Sequence, residues 1–195
     1  MHIKDFLDPA DRQVLVDWAM TNEDRFQPTR IDYGTGAANT RISAQLTDLG
    51  PCKDLMRSRL KPRIPEFAEA FGMTGHKFDR VELELVAHGD GAFFKPHTDT
   101  GAAGGAQNNR LISAVYYFHN HPKGFEGGEL RMFDLSGPMK YVDYQPEDNS
   151  LLVFPAFIPH EVRPVTCASG AFKDYRFAIN FWAHRAVEDS AKPSA

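Results

Sequence analysis

RVELELVA, residues 80 to 87, alternates charged and apolar side chains with a period of two. Successive side chains of a β-strand point to opposite faces, so this alternation predicts a strand with one buried face. The same character continues outward along the chain. RLISAVYYF (110 to 118) is rich in branched and aromatic residues, and GELRMFD, KYVDY, SLLVF, HEVRPV and YRFAINFWA add short segments broken by Gly, Pro, Asp and Asn. Short strands with no helical pattern between them predict an antiparallel sandwich or barrel. Before residue 75 the pattern is helical. DPADRQVLVDWAM (8 to 20) offers Asp8 as N-cap, Pro9 at the first helical position and Leu15, Trp18 and Ala19 on one face. A second helix is expected after Pro51 and a shorter one after Pro65.

The chain's 195 residues, 42% hydrophobic, suffice for one core and one domain. A net charge of -4 without a Lys/Arg block argues against nucleic acid or an anionic membrane as partner, and favours a peptide, a protein or a small molecule. The opening MHIKDFLDP has no apolar leader, and no apolar run approaches the length of a bilayer span, so a cytoplasmic location is expected. Cys52 and Cys167 are far apart and outside any C-x-x-C spacing, which predicts free thiols rather than a disulfide or a zinc site.

FFKPHTDT (93 to 100) holds His97 and Asp99 two positions apart. In a strand that spacing turns both side chains to one face, where a neutral nitrogen and an anionic oxygen suit a divalent metal. With His160 arriving from a distant segment they form two histidines and one carboxylate, the facial triad of non-heme Fe(II) oxygenases. A second H-x-D, His88-Gly89-Asp90, sits in the turn signal HGDGA, where no strand holds the two side chains together. His119, His121 and His184 have no convergent partner in the sequence and are expected on the surface or in structural roles.

Five segments in unbroken order between about residue 80 and residue 183 resemble the Fe(II)- and 2-oxoglutarate-dependent oxygenases, in particular the prolyl 4-hydroxylase branch that includes the oxygen-sensing hydroxylases. They are His97-Thr98-Asp99, RLISAVYYFH from Arg110, GGELRMF (127 to 133), HEVRP from His160 and RFAINFW (176 to 182). TRIDYG and NTRIS are similar to the family's leading strands only loosely. The resemblance implies a mainly β fold with flanking helices around a double-stranded β-helix (jelly-roll, cupin-like) core. With the change of pattern near residue 75 and the polar composition of VEDSAKPSA, this gives a helical and strand flank in 1–75 and the core in 76–186 of a single catalytic domain, with a polar tail over 187–195.

It also implies a dioxygenase that uses Fe(II), 2-oxoglutarate and O2, with ascorbate as a stimulant, to hydroxylate an unactivated C–H bond and release succinate and CO2. Peptidyl proline is the first expectation for substrate, with free amino acids and metabolites open. His97, Asp99 and His160 would hold the metal and Arg176 the distal carboxylate of 2-oxoglutarate, which a guanidinium can grip with two parallel hydrogen bonds. Tyr117 would support the same carboxylate. Leu111, Ser113 and Val115 share its strand phase and would line the pocket, as would Asn180 in the phase of Arg176. Asp99 fills the position that halogenating relatives vacate, which disfavours halogenation.

The chain departs from the family pattern at three places. Sixteen residues separate His160 from Arg176 where about ten are usual, the excess falling in CASGAFKDY, so Arg163 and Lys173 compete for the anchor. His88 stands where a tyrosine is usual, and is expected to hydrogen-bond co-substrate or substrate without ligating the metal. Asn180 replaces a common threonine. TGAAGGAQNN (100 to 109) reads equally as a lid and as a connector. Two other classes stay open at this point: a cupin-like metal-dependent hydrolase or isomerase, and a non-catalytic module sensing metal and 2-oxoglutarate. Oligomeric state is not readable.

Overall fold

A computed structural model describes residues 1–31, 40–101 and 109–186. The elements in chain order are β1 (His2–Ile3), α1 (Pro9–Thr21), β2 (Gln27–Ile31), β3 (Arg41–Leu46), α2 (Pro51–Leu60), α3 (Ile64–Ala70), β4 (Phe78–His88), β5 (Phe93–His97) and β6 (Arg110–Phe118). They continue with β7 (Glu126–Gly127), β8 (Leu130–Asp134), β9 (Gly137–Tyr144), β10 (Ser150–Pro155), β11 (His160–Val162), β12 (Val165–Thr166) and β13 (Arg176–Arg185). The 100–109 stretch lies almost wholly, and the 187–195 tail wholly, outside the described residues.

The helices start where the sequence places them. Asp8 caps α1, its side chain accepting from the Asp11 amide at 2.9 Å, and Pro9 opens the first turn. Leu15, Val16 and Ala19 are the buried residues of α1, while Trp18 lies flat against Gly50, the residue before α2. Gly50 has φ +46°, and a Cβ there would stand 2.2 Å from the Trp18 ring, so both its backbone and its surroundings require glycine.

Among the described residues, eleven strands form one curled antiparallel sheet in the order β1, β10, β6, β13, β4, β3, β5, β11, β8, β9, with β2 also paired to β3; β7 and β12 make a separate ribbon. HEVRPV, read as one segment, divides into β11 and β12 around Pro164, which has no N–H to give to a ladder. The excess residues before Arg176 loop out through a turn and a short 3-10 helix at Phe172–Asp174, leaving β13 in register with β4 and β6.

Two apolar layers follow from the strand alternation. On one side of β4, β6 and β13, Leu85, Tyr116, Phe118, Phe177, Ile179 and Phe181 pack with Leu15, Met56, Leu60 and Phe67 of the helices. Each such side chain contributes about 1.5–3 kcal/mol on burial. On the other side Val86, Val115, Tyr117 and Ala178 meet Leu130 and Val162 of the curled-over strands β8 and β11. The candidate site opens in this second layer, the interior of the jelly roll. Leu111, expected to line the pocket, instead packs against the helix-side core, because the ladder between β6 and β13 shifts register at Ala183/His184, near the start of β6. No helix among the described residues is long and apolar enough to cross a membrane.

Candidate active site

His97 ends β5 and His160 begins β11, and the two are direct cross-strand partners. Asp99 lies just beyond β5, not within a strand as its spacing suggests. Its amide donates to the Ala156 carbonyl at 2.9 Å, and this turns the carboxylate back towards both rings. His97 Nε2 stands 3.8 Å from Asp99 Oδ1 and His160 Nε2 stands 3.7 Å from Oδ2, with the three ligand atoms all within 4.8 Å of one another. One ion with bonds of about 2.1 Å spans donors up to about 4.2 Å apart, so both histidine–carboxylate separations fit a shared metal.

The surroundings prepare these groups as ligands. His97 Nδ1 lies 2.8 Å from the Lys95 carbonyl and His160 Nδ1 lies 2.8 Å from the Ile158 carbonyl. A carbonyl only accepts, so each Nδ1 carries the proton and each Nε2 presents a lone pair. Burial, reinforced by His160, lowers the His97 pKa to about 3, which keeps that ring neutral. Burial alone would raise the pKa of Asp99, but His160, His97 and the Ser113 hydroxyl outweigh it, and the carboxylate is held ionised. Ser113, expected to line the pocket, donates to Asp99 Oδ2 at 2.7 Å and orients the carboxylate.

Arg176 occupies the deep end of the same cavity, which measures about 330 Å3. Its side chain is 1% exposed, and among the described residues no carboxylate lies within 4.0 Å of it. Nε donates to the Gly128 carbonyl at 2.9 Å, and Nη1 donates to His88 Nδ1 at 3.1 Å. Gly128 has φ +72°, and a Cβ there would meet Arg176 Cδ at 2.7 Å, so the glycine makes room for the guanidinium. Because Arg only donates, His88 is the Nε2–H tautomer. Burial, then Arg176 and Arg41, push its pKa well below the usual value, so it stays neutral.

Tyr117 is buried beside this guanidinium, with Arg176 Cζ 4.8 Å from its ring centroid, and its hydroxyl has no hydrogen-bond partner among the described residues. Arg176 is close enough to oppose the effect of burial, which raises the phenol pKa to about 12, but does not reach good hydrogen-bond geometry. An unpaired buried cation beside an orphaned buried hydroxyl is costly unless a ligand completes both. A carboxylate would satisfy the two together, which is the donor set 2-oxoglutarate needs.

The competing cations are placed elsewhere: Arg163 pairs with Glu161 at 3.1 Å, and Lys173 is exposed. His88 and Asp90 diverge, the imidazole facing the cavity and Asp90 accepting from the Cys167 amide at 2.9 Å. Asn180 lines the cavity but donates to Glu84 at 2.9 Å. His119 and His184 are buried in local hydrogen bonds and His121 pairs with Asp148 on the surface, away from the triad. Both cysteines are free and buried.

Sequence reasoning missed Arg41, Glu82, Glu84 and Arg110 as cavity-lining residues. The two glutamates share the strand phase of His88 in VELELVAH, which was a readable signal; Arg41 joins them only through the folded sheet.

Residues 83–184, more than half of the chain, match the sequence model of the 2OG-Fe(II) oxygenase superfamily. Over 192 residues the chain is 31% identical to an uncharacterized PKHD-type hydroxylase of Synechocystis sp., a match covering 94% of this chain and 62% of that protein; the chain thus spans less than two thirds of this relative. Its fold is similar to that of a Pseudomonas putida prolyl-4-hydroxylase, with a TM-score of 0.71 at 21% identity over 96% of this chain and 92% of that one. A prolyl hydroxylase of Trichoplax adhaerens, in complex with a peptide fragment of the hypoxia inducible factor oxygen degradation domain, has TM-score 0.71 at 17% identity, over 94% and 82% of the respective chains. With the motifs, the jelly roll and the sequence match all in agreement, the chain belongs to the 2OG-Fe(II) oxygenase superfamily.

Proposed function

We propose that this chain is an Fe(II)- and 2-oxoglutarate-dependent hydroxylase of an unactivated C–H bond, with a prolyl residue of a peptide as substrate. The observation that carries the reading is the unpaired, buried Arg176 in the same cavity as the three convergent ligands. A hydrolase or isomerase built on the triad would have no use for a sequestered guanidinium, whereas a co-substrate dicarboxylate requires one.

His97, Asp99 and His160 would hold the metal through Nε2, one carboxylate oxygen and Nε2. Arg176 grips the distal carboxylate, Tyr117 donates its orphaned O–H to the same group, and His88 offers Nε2–H beside it. Val86, Val115 and Ala178 occupy the strand rows between Arg176 and Ser113, the partner of Asp99, and give this stretch an apolar character. Iron, when bound, would supply the activation of O2 for a reaction whose balance puts one oxygen atom into the substrate C–H bond and the other into the succinate formed with CO2 from 2-oxoglutarate. The peptide held by the Trichoplax prolyl hydroxylase supports a peptidyl substrate on this fold.

The test is turnover of protein reconstituted with Fe(II) and 2-oxoglutarate on proline-containing peptides, with succinate and product mass measured together. Succinate formed in step with a one-oxygen mass gain is expected. Binding of both metal and 2-oxoglutarate without succinate release would favour the sensor module, and failure to bind 2-oxoglutarate would refute the reading.

A further inference from the structure

The inner face of the major strands carries its charges in two different conditions. Strand register arranges its residues in rows: Arg176 beside His88; Ala178 with Val86 and Tyr117; Asn180 with Glu84 and Val115; Trp182 with Glu82 and Ser113; His184 with Arg80 and Arg110. In the first row the guanidinium has no ionic partner among the described residues. From the third row outward the cavity's charges are paired. Glu84 Oε1 accepts from Arg41 Nη2 at 3.2 Å, and its Oε2 accepts from Asn180 at 2.9 Å. Glu82 Oε1 accepts from Arg110 Nη2 at 2.7 Å, and its Oε2 meets Arg110 Nε and His184 Nε2 at 3.3 and 3.1 Å.

Aromatic faces fix both guanidiniums in place. Arg110 covers the Trp182 ring at 3.9 Å and Arg41 covers Phe94 at 5.2 Å. The Arg41–Glu84 pair is sequestered, its side chains 9% and 12% exposed. Such a pair is weak support for stability, because desolvation offsets most of its attraction, which leaves recognition as the reason to bury it here.

We propose that the Arg41–Glu84 and Arg110–Glu82 pairs are the specificity-determining wall of the substrate subsite, and that this wall selects a reacting residue flanked by uncharged amides, the interior of a polypeptide, over a free amino acid or a chain end. The proposal rests on the hydroxylase reading and adds to it which residues exclude the free amino acid and the chain end. Both oxygens of each glutamate are already engaged, so a free ammonium or carboxylate must open the sequestered Arg41–Glu84 pair or the Arg110–Glu82 pair, whose glutamate is 40% exposed, or remain uncompensated. A peptide segment brings only neutral donors and acceptors and leaves both pairs closed. Among the described residues the cavity thus keeps the unmatched Arg176 for the co-substrate and presents a neutral surface to the substrate.

The experiment titrates four compounds by anaerobic calorimetry into protein loaded with Fe(II) and 2-oxoglutarate: N-acetyl-L-prolinamide, N-acetyl-L-proline, L-prolinamide and free L-proline. The doubly capped compound should bind at least about tenfold more tightly than free proline. Glu84→Gln leaves Arg41 unmatched and should improve the anionic N-acetyl-L-proline about tenfold relative to the doubly capped form; Arg41→Gln should do the same for the cationic L-prolinamide. The double variant should restore the wild-type order. Equal affinity of the wild type for capped and free proline, no binding of any form, or a parallel loss across all four in the variants would overturn the proposal. If an uncompensated charge keeps a single variant from folding, the wild-type ranking still decides. A prior titration with 2-oxoglutarate alone separates the outcomes: binding there with the wrong ranking refutes the wall and leaves the hydroxylase reading standing.

Discussion

The two faces of β13 meet opposite demands. Phe177, Ile179, Phe181 and Ala183 are buried in the core cluster shared with the helices, where each side chain adds to stability. Arg176, Ala178, Asn180 and Trp182 look into the jelly roll, where a buried charge and polar groups work against folding until ligands complete them. One strand therefore supplies both the scaffold and the cost of the site, and the alternation keeps the two apart. The residues that physical reasoning would remove for stability are those the chemistry needs.

That contrast can be broken from either side. The largest effect is expected of Asp99→Ala, which removes the anionic ligand: Fe(II) binding should be lost in a metal titration while the urea midpoint stays level or rises. Phe181→Ala, on the opposite face, should cost about 3–5 kcal/mol of unfolding free energy by urea denaturation, through transfer and cavity terms. Arg176→Ala should weaken 2-oxoglutarate by about 2–5 kcal/mol without weakening the metal alone. If Lys173→Ala has the larger effect on 2-oxoglutarate, the anchor is misassigned. Tyr117→Phe should be the mildest, costing about 0.5–1.5 kcal/mol of 2-oxoglutarate affinity. It should leave the ligand-free protein as stable as before or more so, since it deletes an orphaned hydroxyl.

Much of this was legible because local rules and the fold agree. Asp8 and Pro9 mark the start of α1, the period-two runs become β4, β6 and β13, and the loop-out of CASGAFKDY leaves Arg176 in phase. The less legible features depend on tertiary placement. Asp99 reaches the histidines through a backbone bond to Ala156 from beyond the strand end, so the i, i+2 argument gave the right convergence for the wrong geometric reason. Leu111 changes sides near a register shift that no sequence pattern announces. The Arg41–Glu84 pair joins residues 43 positions apart on neighbouring strands, and the sharing of Ser113 with Asp99 depends on how the sheet curls.

The central claim is that three side chains and one buried guanidinium make a single site for ferrous iron and a keto-diacid. It is tested most directly by adding 2-oxoglutarate anaerobically to the Fe(II)-loaded protein and recording the visible spectrum. The weak charge-transfer band of a bidentate keto-acid chelate is expected, reached only at much higher 2-oxoglutarate in Arg176→Ala. Metal-loaded protein that shows no band, or a band indifferent to the loss of Arg176, would contradict it.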